Sequence, residues 1–137
     1  MTLRGDTTGR VPRELAAYLD EPPQLATGSP GKNGYLRLGF ERRGPKTVLV
    51  DLDRRAPLLV QQALYWDEAM PGLPCVYMIS NAGGVLQGDR NRVEIQLGPE
   101  AQAHLTTQSA TKIHEMDHNH AVQEQEIVLG DGSYLEY

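Results

Sequence analysis

Gly34-Tyr-Leu-Arg-Leu-Gly-Phe-Glu41 and Thr47-Val-Leu-Val-Asp-Leu-Asp53 decide the fold class of this chain. In the first stretch Leu36, Leu38 and Phe40 alternate with Arg37, Gly39 and Glu41, the period of two that gives a strand one apolar and one polar face. In the second, Val48, Val50 and Leu52 alternate with Thr47, Asp51 and Asp53. Gly44-Pro45 turns the chain between them, so the pair predicts a hairpin joined by a loop at residues 42–46.

Reading outward, strand-like segments recur at intervals of about ten residues, as in a sandwich, barrel or stacked-sheet fold. They are Val76–Ser80, Val93–Leu97 and Ala103–Gln108, with Gly98-Pro99 between the last two. Leu58–Trp66 reads as an irregular strand, with a single helical turn as the other reading. Ile127-Val-Leu, then Gly130-Asp-Gly132, then Ser-Tyr-Leu-Glu-Tyr137 predicts a further hairpin. The chain stops at Tyr137 inside an apolar strand, which predicts either an unpaired edge or a missing partner strand, as in a truncated domain. Toward the other end, residues 1–33 form an N-terminal extension. Its one helical signal is Pro12 at a first-turn position with Leu15, Tyr18 and Leu19 on one face, stopped by Pro22-Pro23.

Length and composition narrow the function classes. A chain of 137 residues has room for one hydrophobic core. Thirteen Lys and Arg against eighteen Asp and Glu give a net charge of −5, which repels phosphate backbones and argues against nucleic acid as a partner. No run approaches the roughly 18 apolar residues of a membrane helix, and the N-terminus lacks the apolar stretch of a signal peptide, so a cytoplasmic protein without a membrane partner is expected. Cys75 is the only cysteine and lies beside Pro74, Val76 and Met78, which predicts a small buried hydrophobe.

Two segments carry candidate chemistry. His114-Glu115-Met116-Asp117-His118 satisfies the H-E-x-x-H pattern of zinc hydrolases, with His120 as a further ligand. That chemistry needs a helix to bring both imidazoles onto one face and Glu115 toward a zinc-bound water. Asp117-His-Asn119 holds weak helix formers between strand-like flanks, so the segment reads instead as an exposed connection. His114, His118 and His120 there could form a surface site for nickel, zinc or copper without catalysis. The second segment is Gly83-Gly84-Val-Leu-Gln-Gly88-Asp89. Its glycines permit positive φ, and Asp89 is expected to accept hydrogen bonds from nearby backbone amides. It is no phosphate cradle, because Asp89-Arg90 stands where a P-loop requires Lys followed by Ser or Thr.

Read in order, Gly31–Phe40, Arg55–Tyr65, Gly83–Asp89, Thr106–Lys112 and Gly132–Tyr137 resemble the urease accessory protein UreD (UreH) family. The resemblance covers about three-quarters of the chain and matches the N-terminal half of that family, with residues 34–137 as the N-terminal part of a UreD-like domain. It implies an all-β fold of stacked β-sheets with solenoid-like (β-helical) winding. It implies no catalysis, but a scaffold that binds urease apoprotein with a second scaffold, UreF, and a GTPase, UreG, and assists nickel insertion into the urease active site. No cofactor is then held stably, and nickel passes transiently. Gly83, Gly84, Gly88 and Asp89 would shape the interior, while Thr106, Thr107 and Ser109 would face a nickel route. Where the family commonly has an aromatic residue after Ala-Thr-Lys-Ile, this chain has His114, so no family role transfers to its histidines.

Overall fold

The computed structural model describes Arg13, Ala16, residues 33–116 and residues 120–137. The short helix expected around Pro12 to Leu19 falls mainly outside them, as does His118. Eight strands follow in chain order: β1 (Asn33–Arg43), β2 (Lys46–Arg55), β3 (Leu58–Leu59), β4 (Cys75–Ser80), β5 (Arg90–Leu97), β6 (Gln102–Thr107), β7 (Val122–Leu129) and β8 (Tyr134–Glu136). They form two four-stranded sheets, ordered β2-β1-β5-β7 and β3-β4-β6-β8. Both are mixed: β1 and β2 pair antiparallel, as do β3 and β4, whereas every later pairing is parallel. From β4 onward successive strands alternate between the sheets, each adding to the growing edge.

The expected hairpin of β1 and β2 is present, with its turn at Gly44-Pro45. Its inward face differs from the simple alternation. A register shift between Gly39 and Phe40 sets Leu38 opposite Leu52 but Phe40 opposite Leu49, so an extra residue is accommodated in β2 around Val50. Beyond that bulge the faces exchange: Leu49 packs on the core and Thr47 is fully buried, while Val50 and Leu52 are exposed. Burying Thr47 is tolerable because its hydroxyl accepts the Gln102 amide at 2.9 Å, and its carbonyl accepts the Tyr65 hydroxyl at 2.7 Å.

Two other expectations are corrected. Leu58–Trp66 is a strand only at Leu58–Leu59, with an isolated antiparallel bridge from Leu64 to Cys75. The segment 127–137 is no hairpin: β7 and β8 belong to different sheets. Gly130–Ser133 forms a corner stacked on the earlier corner at residues 98–101, and its hydrogen bonds go there. Gly130 N–H donates to the Leu97 carbonyl at 2.8 Å, Glu100 N–H to Asp131 at 2.9 Å and Tyr134 N–H to Ala101 at 2.9 Å. A Cβ at Gly130 would stand 2.7 Å from Pro99 N and 2.8 Å from Gly98 C, so the stacking requires glycine.

The core lies between the sheets. Leu36, Leu38 and Phe40 of β1 and Val93, Ile95 and Leu97 of β5 meet Val76 and Met78 of β4 and Ala103 and Leu105 of β6. Each large member buried this way contributes roughly 1.5–3 kcal/mol. Cys75 is a free buried thiol, as its neighbours predict. Among the described residues no helix is long and apolar enough to cross a membrane.

Candidate functional site

The glycine segment after β4 is a turn fastened at both ends to the connection between β6 and β7. Gly83, Gly84 and Gly88 have φ of 73°, 153° and 82°. Val85 pairs with Ile113 in an isolated parallel bridge: its N–H donates to Lys112 O at 2.8 Å, and its carbonyl accepts the His114 N–H at 3.0 Å. At the far end Gly88 N–H donates to His120 O at 3.1 Å. The backbone at Gly84 must lie against the His114 ring, since a Cβ there would stand 2.6 Å from Nε2. Side chains at this position are therefore excluded by space as well as by φ.

Asp89 closes the turn. It is buried, its Oδ2 accepts the Leu86 amide at 3.0 Å, and its own amide donates to Leu86 O at 3.1 Å. Its carbonyl accepts Val122 N–H at 2.9 Å and so starts the β5–β7 pairing. Arg90 adds a second clasp, donating through Nη1 to Asp89 O at 3.0 Å and to His120 O at 2.5 Å, with Nη2 3.2 Å from His120 Nε2.

His114 and His120 therefore occupy opposite ends of the glycine turn, one against Gly84 and one beside Arg90. His114, Glu115 and Met116 are not helical, so the described part of the H-E-x-x-H segment lacks the helix a zinc hydrolase needs. Among the described residues no group of three or more His, Cys, Asp or Glu could hold a metal ion. Burial and, secondarily, the charge of Glu136 push the Cys75 thiol up, so it is no ready thiolate ligand at neutral pH.

Beside this turn a cavity of about 210 Å³ opens between the sheets. Of the candidate residues it brings together Gly83, Gly84, Thr107 and Ser109; Gly88, Asp89, Thr106, His114 and His120 are not part of its wall. Leu36, Met78 and Val93 supply its apolar floor. Asn91, Lys112, Gln123, Gln125 and Tyr137 also line it, and none of these was expected as a site residue. The usable signal was Gln123-x-Gln125, two amides on the inward parity of a strand whose next inward residue is Ile127. Among described residues the wall carries one cation, Lys112, and no carboxylate, imidazole or thiol. Apart from Lys112 its polar groups are neutral hydroxyls and amides, which hydrogen-bond a water shell or a polar ligand but do not strip a divalent cation of its waters.

Residues 32–137 match the family model described as UreD urease accessory protein. The chain is 70% identical over 125 residues to "Urease accessory protein UreD 2" of Brucella ovis, covering 91% of this chain and 41% of that protein. It is 59% identical over 123 residues to "Urease accessory protein UreD" of Photorhabdus laumondii, covering 90% of this chain and 38% of the relative. The protein of the same name in Yersinia pseudotuberculosis is 49% identical over 135 residues, or 98% of this chain and 42% of the relative. The chain thus spans about two-fifths of the length of these relatives.

Proposed function

This chain belongs to the UreD family of urease accessory proteins, and on that premise we propose that it serves urease maturation as a scaffold without chemistry of its own. In this role it binds urease apoprotein together with UreF and the GTPase UreG and assists nickel insertion. The observation that carries the reading is the 70% identity to a urease accessory protein across nine-tenths of the chain. The strand alternation from β4 to β8 supports the solenoid-like winding that the family resemblance implies. On this reading the protein works in the cytoplasm.

Nickel enters as cargo rather than as a resident cofactor. A cavity of about 210 Å³ is roomy enough for one hydrated divalent cation, whose six waters fill roughly 180 Å³. Thr107, Ser109, Gln123 and Gln125 would hydrogen-bond that shell without holding the ion. Such weak contact suits passage rather than storage. Asp89 is a structural member of the turn here, its carboxylate already engaged by the Leu86 amide.

The test is complementation. This chain, tagged, is expressed in cells that carry urease and every other accessory protein but lack their own UreD, with a full-length relative as control. Restored urease activity, or co-purification of urease apoprotein and UreF with the folded chain, is the expected result. A folded chain that does neither beside an active control would overturn the proposal.

A further inference from the structure

We draw no further inference here: the strongest candidate, the aromatic surface patch where Trp66, 56% exposed, meets Tyr77 of β4 edge-on with ring centroids 5.7 Å apart, carries none because nothing in the structure shows what covers it.

Discussion

Ile95 and Ile127 are direct neighbours across the β5–β7 pair, as are Leu97 and Leu129, and all four point inward. Yet Ile95 and Leu97 are each 1% exposed, while Ile127 and Leu129 are 42% and 52% exposed. The residues are the same and so is the alternation; only the place in the sheet differs. β5 lies between β1 and β7 and shares one core cluster with β4 and β6, whereas among the described residues β7 has a single strand neighbour. An apolar pattern thus reports a capacity for burial, which neighbouring strands realise or leave open.

The contrast predicts unequal costs. Ile95→Ala should destabilise the chain by about 2–5 kcal/mol, because it empties a closed site, and Ile127→Ala by less than about 1 kcal/mol, because nearly half of that side chain already meets water. Urea unfolding of the two variants measures the difference. Equal costs would mean that the β7 face is covered in solution, and the contrast would fail.

A smaller effect sharpens the comparison at the junction of the two regions. Asp89 starts the β5–β7 pairing through its carbonyl and holds the glycine turn through its carboxylate. Asp89→Ala leaves the Leu86 amide without that acceptor and should cost about 1–3 kcal/mol, whereas Asp89→Asn, which keeps an oxygen there, should cost less. Similar losses for the two variants, read from the same unfolding curves, would show that the hydrogen bond is not what holds the turn.

The smallest effect near neutrality lies on the charged outer face. Tyr35 is buried there and donates to Glu94 at 2.7 Å; burial first, then the Glu94 carboxylate, pushes its hydroxyl from 10.0 up to about 12. The folded state therefore holds this proton more tightly than the unfolded chain. Its contribution is complete below pH 10 and is lost as pH rises from 10 to about 12. Tyr35→Phe should flatten the stability profile across that window while changing stability at pH 7 by only about 1 kcal/mol. An unchanged alkaline slope would assign the loss to other groups.

Much of the fold was legible because β1, β5 and β6 carry an alternation of apolar and polar residues along their inward stretches, and β4 is a short apolar run. The turn at Gly83–Asp89 was legible too, since glycine spacing and a following carboxylate are local properties of the chain. Local pattern failed where geometry depends on a distant segment. The β2 bulge buries Thr47 because the Gln102 amide, 55 residues away, is there to be bonded. The corner at residues 130–133 carries the glycine spacing of a hairpin, but its backbone groups find the earlier corner at residues 98–101 instead. The cavity wall was half visible: Gly83, Gly84, Thr107 and Ser109 stood out, whereas Lys112, Gln125 and Tyr137 gain their place only when β7 and β8 close beside them.

By itself the sequence determined an all-β chain with a glycine-built turn and membership of the UreD family, since alternation, turn chemistry and a series of ordered short motifs are all written along one dimension. The tertiary structure decided which strands join which sheet, that His114 and His120 stand at opposite ends of a turn, and that Ile95 and Leu97 are buried where their neighbours Ile127 and Leu129 are half exposed. Each of these depends on hydrogen bonds between residues far apart in the chain, and the partner of a backbone amide is chosen by which carbonyl the folded chain brings within reach.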